Sequence, residues 1–237
     1  MNTTIGTEMV QIESKRTFDQ PPAAAQTAPN EGRGDFDARL NRILNAATAV
    51  IARVGYEKAS MRMVAKEAGV SLAGIYHYFD SKEKMLFLIQ FRSFNALLNG
   101  LREKLHHVAD PVEQLRLMVR SHTNYFVANM AALKVCSHEL DSLSGDAYAE
   151  TLAIRRQYYD LTRGIIDRVF EKYAPNSPAD RHVATMCLFG ALNWLYRWYD
   201  PKRGRSPNVL ANQIATQFLQ GILGVSPPEE PSPPPPA

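Results

Sequence analysis

The stretch SMRMVAKEAGVSLAGIYHYFDSKEKM, residues 60 to 85, determines the fold that we expect for this chain. Ser60 and Ser71 each precede a short helical pattern, and serine is a favoured residue at the N-cap of a helix. Only Gly69 and Val70 separate the two patterns. Two short helices joined by a glycine-containing turn are typical of the helix-turn-helix, whose second helix enters the major groove of DNA. The stretch therefore predicts a DNA-binding motif.

Three consecutive ring residues, Tyr76, His77 and Tyr78, close the second of these helical patterns. A buried helix spaces its aromatic residues at three and four positions, so that one face packs and the other meets water. Consecutive rings point in several directions, and some of them must face outward. Tyrosine hydroxyls and histidine nitrogens can hydrogen-bond phosphate oxygens, which favours contact with DNA. The alternative is an ordinary helical hairpin whose rings pack against the rest of the molecule.

Composition and charge limit the classes of protein to which this chain can belong. The 237 residues are 45% hydrophobic and 22% charged, which suffices for a sizeable core. The formal net charge is only +3, but nine basic and six acidic residues lie between positions 35 and 92, where the motif is. Cys136 and Cys187 lack CxxC spacing, which favours reduced thiols. Since we find neither a signal-peptide pattern nor an apolar stretch long enough to cross a bilayer, we expect a cytoplasmic protein.

The chain divides into two tails and two helical regions. Residues 1–35 and the proline-rich residues 225–237 lack a sustained hydrophobic period, and we expect them to be disordered. Between them apolar residues recur at three and four positions, which predicts an all-α fold of about nine helices. We expect a helix-turn-helix DNA-binding domain over 36–97 and a ligand-binding and dimerisation domain over 98–224. The spacing predicts a small core in the first domain from Val64, Ala65, Ala68, Val70 and Ile75.

The block GYEKASMRMVAKEAGVSLAGIYHYFDSKEKML, residues 55 to 86, closely resembles the DNA-binding domain of TetR-family transcriptional regulators. The resemblance rests on the combination of Gly-Tyr, the Ala-Gly-Val-Ser turn, Ile-Tyr-His-Tyr-Phe and Ser-Lys-Glu, and with the preceding helix it covers about residues 37–97. It implies a homodimer that binds a double-stranded DNA operator and responds to a small molecule. Repression is the tendency of the family.

The resemblance also implies which residues contact DNA. Ser60 matches a phosphate-contacting hydroxyl, and positions 71, 73 and 74 fall where the family reads or approaches bases. Leu72 stands where a basic residue is frequent, and Ala73-Gly74 where glycine followed by threonine or asparagine is frequent. Specificity is therefore expected to depend on methyl contacts and DNA shape. The expected DNA-contacting set is Ser60, Ser71, Ala73, Gly74, Tyr76, His77, Tyr78 and Lys82.

A dimer is also expected on physical grounds, because one short recognition helix buries too little surface for high specificity. The predicted interface is formed by the last two helices, about 180–199 and 207–223. Gly190 and Ala191 would permit close approach of helices. An apolar stripe on the last helix comprises Val209, Ile214, Phe218 and Ile222. The alternative is that this stripe belongs to the core of one protomer.

The second half of the chain is expected to hold the sensor. Trp194 and Trp198 are four residues apart with Arg197 beside them, which fits a ligand with a stacking part and an anionic part. The segment resembles the C-terminal half of TetR regulators that sense acyl-coenzyme A esters. The resemblance implies ligand contacts by Arg155, Arg156, Tyr159, Trp194, Arg197 and Trp198. Two alternatives stay open: an effector of the hydrophobic-drug or toxic-compound class, and tryptophans that serve packing.

Enzymatic function is disfavoured. The sequence has no glycine-rich phosphate loop with Lys-Ser/Thr, no GxSxG and no HExxH. His106-His107 and the group His138, Glu139 and Asp141 are expected on a solvated surface, since adjacent helical residues diverge too far to share a metal ion. We therefore expect no cofactor and no metal. A helical enzyme that binds coenzyme A is a distant alternative, disfavoured by the helix-turn-helix.

Overall fold

The structure is a computed structural model that describes residues 30–223, and the described chain is helical without a strand. An all-α fold is thereby confirmed for these residues. The predicted tails lie largely outside them, although the first helix begins within the segment 1–35. The nine longer α-helices are α1 (Asn30–Val54), α2 (Met61–Ala68), α3 (Leu72–Tyr76), α4 (Lys82–Leu105), α5 (Pro111–Ala128), α6 (Met130–His138), α7 (Gly145–Tyr173), α8 (Arg181–Asn193) and α9 (Pro207–Leu223).

Two single turns complete the helical content of residues 30–223. A 3-10 turn, Leu140–Ser142, lies between α6 and α7, and an α-helical turn, Leu195–Trp198, follows α8. By contacts the chain divides into two compact units, Met1–Asn41 and Arg42–Ala237. In the described part of the first unit, Asp35 and Arg39 form an exposed ion pair at 4.0 Å.

The caps predicted for the helix-turn-helix are confirmed. The Ser60 hydroxyl oxygen accepts a hydrogen bond from the Met63 N–H at 3.3 Å and begins α2, while the Ser71 oxygen accepts from the Gly74 N–H at 3.0 Å and begins α3. Gly69 ends α2 with a φ of +65°, a left-handed conformation that glycine adopts without strain. These local signals set both ends of α2 and the start of α3 as predicted.

Helix α3 is shorter than its sequence pattern suggests. It ends at Tyr76, because the Tyr78 and Phe79 N–H groups both donate to the Ile75 carbonyl and so close the chain into a turn. Phe79 is buried and Ile75 is fully buried, so the turn carries the chain back into the core. Four of the five predicted core residues are buried, and Val70 is partly exposed.

Helices α4 to α9 form the C-terminal bundle, whose core is continuous from Leu97 on α4 to Leu219 on α9. Helix α9 packs against α5, where the Arg116 guanidinium donates to the Thr216 hydroxyl at 3.2 Å. No helix within residues 30–223 is both long and apolar enough to cross a membrane. That same part of the chain holds no group of three side chains able to ligate a metal.

Candidate DNA-binding surface and effector site

The predicted DNA-contacting residues lie along one continuous segment, from the N-terminus of α2 to the start of α4. Ser60, Ser71, Ala73 and His77 are exposed, and Tyr76 keeps 52% of its surface exposed although it follows the fully buried Ile75. The His77 and Tyr78 rings meet edge-on, with centroids 5.2 Å apart. Hydroxyls, rings and helix N-termini can all contact a DNA backbone.

Gly74 is in the first turn of α3. A β-carbon placed on it would lie 3.2 Å from the Ser71 hydroxyl oxygen, the atom that caps this helix. A larger residue would therefore press on the cap. The departure from the common TetR pattern at Ala73-Gly74 thus leaves a helix surface of small groups, which allows close approach to a base edge.

Lys82 has an intramolecular role that the sequence does not reveal. Its Nζ donates to the Tyr56 carbonyl oxygen at 2.9 Å and lies 4.1 Å from the centroid of the Tyr56 ring. The ammonium group therefore fastens the start of α4 to the turn after α1. Contact with phosphate, the predicted role, would have to share this group with the Tyr56 carbonyl.

Glu139, just after α6, connects the C-terminal bundle to the DNA-binding half. Its Oε1 accepts a hydrogen bond from the Tyr56 N–H at 3.1 Å, and its main-chain carbonyl accepts from Nε2 of the fully buried Gln90 at 3.0 Å. The expectation of a solvated surface is wrong for this residue. Nothing in the sequence marks the connection, because Tyr56 and Glu139 are 83 residues apart.

Two further contacts join the same parts of the molecule. Lys134 on α6 donates to the Ala52 carbonyl of α1 at 2.5 Å. The main-chain N–H and the hydroxyl of Ser144, before α7, both donate to Oε1 of Glu83 at 2.8 Å. Helix α6 and the corner that follows it are thus bonded to the DNA-binding half at three places, so a shift of α6 would be transmitted there.

Arg155 on α7 reaches into the bundle and holds α6. Its Nη1 donates to the Cys136 carbonyl at 2.7 Å and lies 3.4 Å from Oε1 of Gln90, while the guanidinium lies 4.9 Å from the Phe94 ring centroid. Burial lowers the pKa of Arg155, but an arginine stays charged. No carboxylate of residues 30–223 pairs with it. Asp141 acts on it only through a longer-range charge interaction. A partly buried cation without a salt bridge is suited to an anionic or strongly polar ligand.

The other predicted effector residues do not converge with Arg155. Arg156 is exposed and lies 4.0 Å from Asp160. The Tyr159 hydroxyl lies 2.6 Å from Nδ1 of His182 on α8. The two tryptophans and Arg197 lie beyond the end of α8, with the Arg197 guanidinium 5.8 Å from the Trp194 ring centroid. The six residues therefore have four separate sets of neighbours.

Known proteins resemble both halves of the chain. The model of the bacterial regulatory proteins of the tetR family matches residues 43–89, and that of the tetracyclin repressor-like C-terminal domain matches residues 108–222. The TetR-family regulator PfmR of Thermus thermophilus is 30% identical, with a TM-score of 0.67, and the match covers 76% of this chain and 97% of PfmR.

The chain belongs to the TetR family.

Two other matches agree with this assignment. The transcriptional repressor KstR of Rhodococcus jostii is 34% identical over 166 residues, which are 67% of this chain and 74% of the repressor. AibR, whose crystal structure is in complex with isovaleryl coenzyme A and operator DNA, has 25% sequence identity to this chain and a TM-score of 0.66. The match covers 78% of this chain and 98% of AibR. TetR regulators act as dimers that bind operator DNA and small-molecule effectors. The chain is accordingly a ligand-responsive DNA-binding regulator.

The surface predicted for TetR dimerisation contains a groove of about 860 Å³ between α8 and α9, lined by the small residues Gly190 and Ala191 and by Trp194 and Trp198. The tryptophans are 54% and 57% exposed. Both thus lie outside the bundle interior, on the surface predicted for dimerisation. Of the apolar stripe on α9, Ile214, Phe218 and Ile222 pack partly against the core of their own protomer, and Val209 is exposed.

A buried polar pair inside the TetR C-terminal bundle was not predicted. Nδ1 of His122, on α5, lies 3.2 Å from the Tyr158 hydroxyl oxygen on α7. Burial lowers the pKa of His122 to about 3, against a smaller opposing effect of the Asn193 side chain. The imidazole is therefore neutral at pH 7. A sequence signal did exist, because His122 interrupts an otherwise apolar stripe that contains Met118 and Phe126.

Proposed function

We propose that this TetR regulator is a cytoplasmic repressor that occupies a palindromic operator as a homodimer and leaves it when an acyl-coenzyme A-type metabolite binds in the C-terminal bundle. No enzymatic step belongs to this function. The observation that carries the proposal is the position of Arg155, a partly buried cation that has no salt bridge within residues 30–223 and that also holds α6. AibR, which is similar over most of its length, was crystallised with isovaleryl coenzyme A and operator DNA together.

Arg155 is the proposed anchor of the effector. Its guanidinium can hydrogen-bond a thioester carbonyl or a phosphate of coenzyme A, and such charge-assisted bonds are among the stronger ones in proteins. Arg156 and Tyr159 continue the same helix toward the surface, where the larger polar part of the ligand would leave the bundle. We keep Trp194, Arg197 and Trp198 as contacts for a ligand that extends to the end of α8.

The DNA contacts are proposed from the exposed segment between α2 and α4. Tyr76, His77 and Tyr78 would contact the sugar-phosphate backbone, together with Ser60 and Lys82. Ser71, Ala73 and Gly74 would face base edges, where the small groups favour contact with thymine methyls and reading of DNA shape. The basic excess between positions 35 and 92 predicts that affinity falls steeply as the salt concentration rises.

The proposed coupling runs through α6. Arg155 donates hydrogen bonds to the Cys136 carbonyl and to the side chain of Gln90. The Gln90 side chain donates to the Glu139 carbonyl, and the Glu139 carboxylate accepts from the Tyr56 N–H in the turn after α1. An effector that takes the guanidinium would release α6 and allow this turn to move. The ligand lowers operator affinity only if it prefers the conformation in which the two recognition helices no longer match their half-sites.

The proposal is tested with duplex DNA from the upstream region of the protein's own gene. Footprinting is expected to show two protected half-sites related by a dyad, and fluorescence anisotropy is expected to show release by an acyl-coenzyme A but not by its free acid or by coenzyme A alone. If hydrophobic drugs release the protein from DNA and no thioester does, the effector belongs to the hydrophobic-drug class and not to the acyl-coenzyme A class. A footprint without a dyad would reject the palindromic operator.

A further inference from the structure

Three buried side chains of the C-terminal bundle, two on α5 and one on α7, have polar atoms without a hydrogen-bond partner in the described part of the chain. Nε2 of His122, Oγ1 of Thr123 and Oγ1 of Thr151 have no hydrogen-bond partner within residues 30–223. All three side chains are at most 1% exposed. Buried polar atoms are nearly always hydrogen-bonded, because burial removes the bonds that water would make. Three unpaired atoms therefore call for polar partners from outside the chain, which are water or a ligand.

The surroundings of His122 describe the kind of group that would fit. Three rings enclose the imidazole, with centroids at 4.8 Å for Phe126, 5.9 Å for Tyr158 and 6.2 Å for Phe189. Such an environment accepts hydrocarbon and excludes a charged group. Nδ1 of His122 is already occupied by the Tyr158 hydroxyl. The Asn193 side chain is near enough to the ring to oppose the effect of burial on its pKa, but it makes no hydrogen bond of good geometry with Nε2, which is left for the ligand. A neutral oxygen that can hydrogen-bond is the matching chemistry.

Helix α7 places these groups in line with the proposed anchor of the effector. Thr151, Arg155 and Tyr158 are spaced by four and three residues, so they share one face of the helix. At a rise of 1.5 Å per residue, Thr151 and Tyr158 are about 10.5 Å apart along the axis, with Arg155 between them. A ligand held by Arg155 and extending along this face would reach the region of His122.

We propose that the acyl part of the effector carries a hydroxyl or keto oxygen, and that Nε2 of His122 hydrogen-bonds this oxygen inside the bundle. The inference rests on the proposed function, since it specifies the class of acyl-coenzyme A. A saturated chain would leave Nε2 unpaired, and a site built to hydrogen-bond a substrate oxygen discriminates strongly against an analogue that lacks it. The site thus selects partly oxidised acyl chains over plain fatty acyl chains.

The test compares thioesters that differ by one oxygen. Isothermal titration calorimetry would measure binding of the full-length protein to dodecanoyl-coenzyme A and to its analogues with one hydroxyl or keto group at carbon 3, 7 or 11. We expect at least one oxygenated analogue to bind about tenfold or more tightly than dodecanoyl-coenzyme A. The preference is expected to disappear in His122→Phe and to weaken in Tyr158→Phe. His107→Phe, on an exposed histidine, is the matched control.

Each contrary result has its own meaning. Equal binding of the plain and oxygenated thioesters by the wild-type protein would overturn the inference and leave the proposed function standing, with water as the partner of the buried atoms. An oxygen preference that survives His122→Phe in a folded protein would also overturn the assignment to His122. Failure of every thioester to bind would reject the proposed function and this inference with it.

Discussion

Nη1 of Arg155 lies 2.7 Å from the carbonyl oxygen of Cys136, so a cation on α7 holds the last turns of α6. The same helix α6 is bonded to α1 by Lys134 and is followed directly by Glu139, which holds the turn at Tyr56. Arg155, which is suited to an effector, and Glu139, which positions the DNA-binding half, therefore meet the same end of one short helix. Because of this proximity, single substitutions can test the coupling between effector binding and DNA binding.

Replacement of Arg155 by glutamine should affect both ends of the coupling. Arg155→Gln removes the charged donor to Cys136, so we expect operator affinity to fall about tenfold without effector and the response to thioester to be nearly lost. Fluorescence anisotropy would measure both quantities. Arg102→Gln is the matched control, because Arg102 is exposed on α4 and is not among the proposed ligand contacts. A normal response in Arg155→Gln would contradict the proposed anchor.

Replacement of Glu139 should separate ligand binding from DNA release. Glu139→Ala leaves the Tyr56 N–H without its acceptor but touches nothing at Arg155 directly. We expect thioester affinity by calorimetry to stay within about twofold, while the effector changes operator affinity several-fold less than in the wild type. Glu103→Ala, which removes an exposed carboxylate on α4, should behave as the wild type. Unchanged coupling in Glu139→Ala would show that α6 acts by another route.

Loss of Tyr76 should affect only operator affinity, whereas loss of Lys82 should affect both operator affinity and stability. Tyr76 is 52% exposed, so Tyr76→Ala should weaken operator binding about tenfold with little change in melting temperature. Lys82→Met removes the bond to the Tyr56 carbonyl and should lower both operator affinity and the melting temperature. Anisotropy and thermal unfolding of the two variants provide the check. Normal DNA affinity in Tyr76→Ala would mean that the ring faces away from DNA.

A larger residue at position 190 should disrupt the dimer without disturbing the protomer. A β-carbon on Gly190 would meet no atom within 4 Å in the protomer, yet this position lines the groove on the predicted dimerisation surface. We expect Gly190→Arg to sediment as a folded monomer and to lose high-affinity operator binding. Ala153→Arg, on an exposed position of α7, should stay dimeric. A dimeric Gly190→Arg would place the interface elsewhere.

The buried histidine should make stability depend on pH. Its pKa is lowered from 6.5 to about 3 in the folded protein, so between these values the unfolded chain binds the additional proton and stability falls as the pH falls. From pH 7 to pH 5 the expected loss in the free energy of unfolding is about 2 kcal/mol. Asp110, whose pKa is lowered by Lys172, contributes only below the pKa of a free aspartate, outside this interval.

Urea unfolding at pH 7 and pH 5 measures this loss. The His122→Phe variant should lose about 2 kcal/mol less than the wild type over the same interval, and all other titrating groups cancel in the comparison. An equal loss in both proteins would mean that His122 is not the buried, neutral group of the folded state.

The DNA-binding half could be predicted from sequence because its signals are local. Ser60, Gly69 and Ser71 set helix ends through bonds to residues at most five positions away, and the pattern shows such bonds directly. Ring exposure at Tyr76 also followed from spacing alone. The internal bond of Lys82 did not, because its partner Tyr56 is 26 residues away.

The effector site was harder to predict, since it depends on contacts between distant helices. Arg155 and Arg156 are adjacent in sequence, but one enters the bundle and the other faces solvent, a difference set by the orientation of α7 on α4 and α6. Spacing placed Trp194 and Trp198 on one face correctly and could not say that this face lies outside the bundle. His122 was detectable only as a polar break in an apolar stripe.

The central claim is that an acyl-coenzyme A and the operator oppose each other through the conformation of one protein. The most direct measurement is the operator affinity of the wild-type protein at increasing concentrations of one acyl-coenzyme A. We predict that the affinity falls about tenfold or more and then reaches a plateau, because the coupling free energy between two sites is finite. An operator affinity that no acyl-coenzyme A changes would contradict the claim.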